Sequence, residues 1–136
     1  MLSITKIFSF EAAHRISNYQ GACSQVHGHS YKLQITVSAD KPEENDMILD
    51  FKVLKDLVQN HIISFWDHSL MLKENAENRQ FFLNYPGKIY WMESEPTAER
   101  MLLDISQKLR PVLPDHVELE EINLFETETS QAKWRK

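Results

Sequence analysis

The sequence predicts an α+β domain in which two main helices cover one face of a four-stranded antiparallel sheet. Three observations point there. Two stretches near the N-terminus alternate apolar and polar residues at period two, and a C-terminal stretch does so again. Between them lie two stretches with apolar residues at helical spacing, each preceded by a side chain suited to capping. The length, 136 residues, fits one domain spanning residues 1 to 136.

The first strand is expected over residues 3 to 14, where Ile4, Phe8, Phe10 and Ala12 share a face with His14, opposite Ser3, Thr5, Ser9 and Glu11. Residues 29 to 39 alternate more strictly, with Tyr31, Leu33, Ile35 and Val37 on one side. After the polar loop "DKPEEND", Asp50 caps a helix over about 51 to 64, built on Leu54, Leu57, Val58 and Ile62. Residues 73 to 80, "KENAENRQ", suit a short helix or a loop, and Pro86-Gly87 marks a turn into a short strand. Thr97 caps a second helix with the stripe Ala98, Met101, Leu102, Ile105 and Leu109, which Pro111 ends. The last strand covers roughly 117 to 127. Its apolar phase switches from Val117 and Leu119 to Ile122 and Leu124, which predicts a bulge near Glu120 and Glu121 and carries Glu126 onto the apolar face.

Composition excludes several classes. The net charge is −5 and no basic run of five residues occurs, which argues against nucleic-acid binding. No apolar run reaches the ~18 to 20 residues of a membrane span, and "MLSITKIFSF" lacks the order of a signal peptide, so a cytoplasmic location is expected. A single cysteine cannot form an internal disulfide, so Cys23 is a free thiol to be judged by its surroundings.

Those surroundings are "CSQVHGH", residues 23 to 29. Side chains at i and i+2 of a strand point the same way, so His27 and His29 project together, on the phase of Tyr31 and Leu33. Gly28 between them eases the entry of the chain into the strand. A lone His-x-His is more often a strand end facing water. Here the hairpin partner ends its own apolar face in His14, which brings a third imidazole to the same end of the sheet. Three convergent imidazoles match a catalytic zinc site with an open fourth position. His61 and His116 have no comparable partner and read as helix-face and loop histidines.

Cys23 is then either a reactive thiolate beside the metal, a fourth ligand that closes the site, or a small buried hydrophobe. Asp67-His68 follows the first helix; a carboxylate that holds an imidazole is the arrangement general acid-base chemistry requires, although a polar helix terminus has the same composition. Glu126 ends an apolar half-strand, so it either reaches the exposed strand end or meets a donor-rich ligand.

Taken together, "FEAAH" (10 to 14), "CSQVHGHSY" (23 to 31), "ILDF" (48 to 51), "DHSLML" (67 to 72), "EPTAE" (95 to 99) and "FET" (125 to 127) resemble the 6-pyruvoyltetrahydropterin synthase and 6-carboxytetrahydropterin synthase family. The motifs occur in family order along nearly the whole chain. The resemblance implies a tunnelling fold, in which the strands of each subunit join an oligomeric barrel as a trimer, with two trimers stacked into a homohexamer and active sites at subunit interfaces. It implies that His14, His27 and His29 bind Zn2+, that Cys23, Asp67 and His68 are catalytic, and that Glu126, with Thr127 beside it, binds a pterin. The implied activity is that of a lyase acting on 7,8-dihydroneopterin triphosphate. The three-residue gap between Cys23 and His27 resembles the 6-carboxytetrahydropterin synthases of queuosine biosynthesis, and retention of Cys23 argues against the folate branch, which carries glutamate there. The sister pyruvoyl activity and a non-catalytic pterin-binding homologue are the other readings. Segment 73 to 95 is longer than in the shortest members, and Lys32, Arg15 or a neighbour's Lys133 are the expected sources of positive charge for a triphosphate.

Overall fold

The computed structural model describes residues 1–136. Strand β1 (Leu2–His14) pairs antiparallel with β2 (His27–Ala39) along their whole length, from Leu2 opposite Ala39 to His14 opposite His27. Full-length pairing follows from the matched alternation of the two strands, because any one-residue slip would turn every buried side chain outward.

Six strands form one mixed sheet in the order β4-β3-β1-β2-β5-β6, which corrects the expected four-stranded antiparallel sheet. An antiparallel four-strand unit is present, but it consists of β1, β2, β5 (Glu118–Thr127) and β6 (Ser130–Arg135). Strand β3 (Ser69–Lys73) runs parallel to both β1 and β4 (Lys88–Met92). Period two does not reveal β3 because Ser69, Leu70, Met71 and Leu72 are all buried, as in a parallel strand covered on both faces. It does not reveal β6 either, because that strand offers only Ala132 and Trp134 to the core.

The helices form where capping and spacing predict. Asp50 accepts the amide hydrogen of Lys52 at 2.8 Å and starts α1 (Phe51–Val58). That helix runs on through a π-helical turn (Gln59–Ile63) into the short α2 (Ser64–Trp66), two residues beyond the expected end. Segment 73 to 80 resolves to a short helix, α3 (Ala76–Phe81), which is capped by Asn75 and runs one residue past the segment. Thr97 caps α4 (Ala98–Leu109), and Pro111 falls in the 3-10 turn that ends it.

The core lies between one sheet face and α1 and α4. Phe8, Phe10, Tyr31, Leu33, Ile35, Ile122 and Leu124 pack against Leu54, Val58, Ile62, Met101, Ile105 and Leu109. The opposite sheet face is polar, with a Thr5-Thr36 hydroxyl pair 2.7 Å apart. The bulge near Glu120 and Glu121 is present: Thr36 faces Glu121 whereas Val37 faces Leu119. A second shift, on the β6 side, separates Phe125 from Thr127 and places Glu126 at an irregularity of its own.

Candidate metal centre and active site

The three histidines converge. Register places His27 opposite His14 and His29 opposite Ala12, so all three rings lie on the core face at one end of the hairpin. Ring centroids are 4.6 Å apart for His14 and His27, 5.1 Å for His14 and His29, and 5.0 Å for His27 and His29. Their ligating atoms lie within 4.8 Å of one another.

Hydrogen bonding decides which nitrogen faces the centre. His14 Nδ1 donates to the Pro96 carbonyl at 2.8 Å, and His27 Nδ1 donates to the Gln25 carbonyl at 2.8 Å. A carbonyl accepts only, so each neutral ring keeps its lone pair on Nε2. These two Nε2 atoms are 3.0 Å apart. Two lone pairs at that distance repel, whereas tetrahedral zinc with bonds of about 2.0–2.1 Å separates its nitrogens by about 3.3 Å. His29 Nε2 is buried with no hydrogen-bond partner, a cost that coordination to a cation would remove. Burial lowers the pKa of both His14 and His29 and favours the neutral, ligating form. The residues therefore fit a divalent metal, with the Pro96 and Gln25 carbonyls orienting two of the ligands.

Glu126 belongs to the same centre. Its Oε1 lies 3.3 Å from Nε2 of both His14 and His29, without the alignment of a hydrogen bond to His29. The strand phase placed Glu126 on this face, and the irregularity beside it sets the approach of its carboxylate. Thr127 is the last residue of β5, and its hydroxyl accepts the Thr129 amide hydrogen at 3.3 Å across the turn into β6.

The family model for 6-pyruvoyl tetrahydropterin synthase matches residues 3–136. The chain belongs to the 6-pyruvoyl tetrahydropterin synthase family. A protein of Rickettsia bellii named 6-carboxy-5,6,7,8-tetrahydropterin synthase is 35% identical over 131 residues, covering 93% of this chain and 95% of the relative. One of the same name from Haemophilus influenzae is 29% identical over 142 residues, covering 99% of each. Among solved structures, an uncharacterized protein from Wolinella succinogenes superposes with a TM-score of 0.84 at 17% identity, covering 98% and 97% of the two chains. The 6-pyruvoyl tetrahydropterin synthase of Caenorhabditis elegans superposes with a TM-score of 0.72 at 19% identity, covering 99% and 95%. The fold is the tunnelling fold.

Within this family member, the remaining expected site residues do not all meet at the imidazoles. Cys23 is exposed on a 3-10 turn (Ala22–Ser24) and is not part of the three-imidazole cluster. Asp67 and His68 do contact each other, with Asp67 Oδ1 3.0 Å from His68 Nδ1. The left-handed backbone of His68, at φ 59°, accompanies that contact. Two bonds fix the pair to β1: the Glu11 amide donates to Asp67 Oδ1 at 3.0 Å, and the His68 amide donates to the Glu11 carbonyl at 2.6 Å.

The exposed His68 ring overhangs a groove of about 380 Å³ that crosses residues 11 to 13 and 28 to 30 and ends at Tyr85. Side chains of Glu11, Ala13 and Ser30 alternate away from those of Ala12, His14, His27 and His29. The groove borders His29 as well as Glu11 and Ser30, while the Asp67-His68 pair meets the hairpin at the outer edge of β1 and stands outside the three-imidazole cluster. Gly28 lies in that groove, and its backbone is not left-handed; an added Cβ would meet Ala12 O at an ordinary 3.5 Å. Sequence reasoning missed the supporting groups Pro96, Ser17, Glu95 and Asn78. The "EPTAE" stretch was a signal for two of them.

Proposed function

We propose that the chain is a zinc-dependent 6-carboxy-5,6,7,8-tetrahydropterin synthase, a single domain over residues 1 to 136. It would convert 7,8-dihydroneopterin triphosphate and one water to 6-carboxytetrahydropterin with release of acetaldehyde and triphosphate, for queuosine or related deazapurine synthesis in the cytoplasm. The observation that carries this reading is the set of three imidazoles whose ligating nitrogens lie within 4.8 Å of one another beside Glu126. The names of the curated relatives support the carboxy product over its pyruvoyl sister.

His14, His27 and His29 would hold Zn2+, which when bound supplies Lewis acidity to the hydroxyls of the substrate side chain. Cys23 takes the proton from the adjacent carbon as thiolate. His68, oriented by Asp67, delivers or removes the complementary proton. Glu126 accepts hydrogen bonds from the pterin ring nitrogens, with Thr127 alongside.

Oligomerisation completes this assignment. Strand β3 pairs with β1 only from Ala12 to His14 and Asp67-His68 occupies the backbone of Glu11, so residues 2 to 10 leave a free edge, and the outer edge of β6 is free as well. Free edges are templates for pairing with another chain. Antiparallel joining of β6 to the neighbour's β1 would close a trimeric barrel, and two trimers would form a hexamer. The Asp67-His68 pair, which stands outside its own three-imidazole cluster, would then serve a neighbour's metal centre.

One observation favours a second reading. Glu126 lies close enough to His14 and His29 to act as a fourth ligand, which would make the zinc structural. Incubation of the zinc-loaded protein with dihydroneopterin triphosphate, followed by mass spectrometry, separates the outcomes. A 6-carboxy product supports the synthase, a pyruvoyl product moves it to the sister activity, and no turnover overturns the enzymatic reading.

A further inference from the structure

Arg15 leaves β1 directly after His14 and enters a network that none of the proposed chemical steps uses. Its Nε donates to the Ser24 carbonyl at 3.0 Å and its Nη1 to Asn78 Oδ1 at 2.8 Å. Its Nη2 lies 3.3 Å from Glu77 Oε1, and the guanidinium stacks 5.5 Å above the Phe81 ring. The side chain is only 15% exposed. Three of the five guanidinium N–H donors thus point at protein acceptors, which fixes the side chain in one place.

We propose that Arg15 is a positioning residue for the Cys23 thiol, clamping the turn Ala22–Ser24 to the buried Asn78 of α3. The proposal rests on the reading of Cys23 as the catalytic thiolate.

The turn's own hydrogen bonds are local. Ser24 N and Ser24 Oγ donate to the Gly21 carbonyl, and Gln25 N donates to that of Ala22. Such bonds set the shape of the turn but not its place. Two others tie it to the end of β1: Ile16 N to the Cys23 carbonyl at 2.9 Å, and Arg15 Nε to Ser24. The Ile16 contact joins two parts of one loop, which can move together. Arg15 alone of these links continues into a fixed body. Asn78 is fully buried, donates from Nδ2 to the Lys73 carbonyl at 2.8 Å, and donates from its amide to Asn75 Oδ1 at 2.7 Å.

A second strut runs beside the first. The buried Ser17 donates its amide to Glu95 Oε2 at 2.9 Å and its hydroxyl to the same carboxylate, while Asn75 Nδ2 donates to Ser17 Oγ at 3.3 Å. Segment 73 to 95 thereby has a task, since residues 75, 77, 78 and 95 brace the loop that bears the thiol. Only the planar fork of arginine reaches a backbone carbonyl and the Asn78 amide together; a lysine ammonium at position 15 satisfies one of them.

The test compares zinc-loaded wild type with Arg15→Ala and Arg15→Lys. Cys23 is the only thiol, so alkylation by iodoacetamide reports on it alone. Both variants should keep the wild-type zinc content and change the alkylation rate by about threefold or more. They should lose about 10-fold to 100-fold in kcat with KM nearly constant, as a misplaced reacting group does. Added ethylguanidinium should recover part of the kcat of Arg15→Ala. Should the alanine variant fail to fold, the lysine variant reads the same quantities with the charge and stem retained. Wild-type alkylation and kcat in Arg15→Lys overturn the proposal, as does loss of zinc in step with activity. Absence of turnover in the wild type, or full turnover in Cys23→Ala, would instead overturn the synthase reading, and the alkylation rates would still judge Arg15.

Discussion

Nε2 of His14 and Nε2 of His27 face each other at 3.0 Å while the Nδ1 of each ring is bonded to a backbone carbonyl. No proton is available to join them in the neutral state, so the contact is stable only around a shared cation. Alanine at either position should reduce bound zinc from one per chain to a small fraction, measured by elemental analysis after gel filtration. Chelation of the wild type should lower its thermal midpoint, because a ligand that binds only the folded state stabilises it by mass action.

Glu126→Ala distinguishes an anchor from a ligand. If Glu126 binds the pterin, the variant keeps its zinc and loses about 1.5–3 kcal/mol of substrate affinity, the worth of a hydrogen bond to a charged group. Zinc content and substrate KM, measured on one preparation, give the answer, and loss of zinc with the side chain would make Glu126 a ligand.

Complementation tests whether the active site is shared. Cys23→Ala and His68→Ala should each be nearly inactive alone. Co-expressed as mixed oligomers they should recover about a quarter of the wild-type rate, since half the sites draw an intact Cys23 and half of those an intact His68. Recovery no greater than the sum of the separate variants would place both groups in one protomer's site.

Tyr31 gives a prediction for stability. Its hydroxyl is buried without a partner while its ring stacks on Phe10 at 4.8 Å, so Tyr31→Phe should keep or raise stability within about 1 kcal/mol at neutral pH. Burial, with Glu126 nearby, raises the pKa of the phenol above its ordinary 10.0. Above pH about 10 the unfolded chain therefore loses this proton while the folded one keeps it, and stability falls as pH rises, by up to about 1.4 kcal/mol per pH unit. Urea unfolding at pH 9 and pH 11 should show that fall in the wild type and a smaller one in Tyr31→Phe.

Removal of a core anchor calibrates the fold. Trp66 is fully buried at the end of α2 and touches Phe10 and Tyr90. Trp66→Ala should cost about 3–5 kcal/mol in urea unfolding, through lost burial and an unfilled cavity.

Much of this was legible because alternation and helical spacing are local properties of the chain. The matched phases of Phe8, Phe10 and His14 with His27, His29 and Tyr31 told which side chains share a face, and the switch between Leu119 and Ile122 located a bulge. Asp50 and Thr97 announced their helices through side-chain oxygens at the right offset. Strand β3 escaped because Leu70, Met71 and Leu72 are buried on both faces and show no period. Strand β6 escaped because most of its residues are polar and its place is set by pairing with β5.

By itself, then, the sequence determined the antiparallel hairpin, its buried face and the grouping of three imidazoles, since pleat and period suffice for that. Tertiary structure alone decided three further matters. It placed the Glu126 carboxylate against His14 and His29, fixed the Asp67-His68 pair to the edge of β1 at Glu11, and braced the Cys23 turn through Arg15 to Asn78. Each depends on contacts between residues tens of positions apart, which no local pattern encodes.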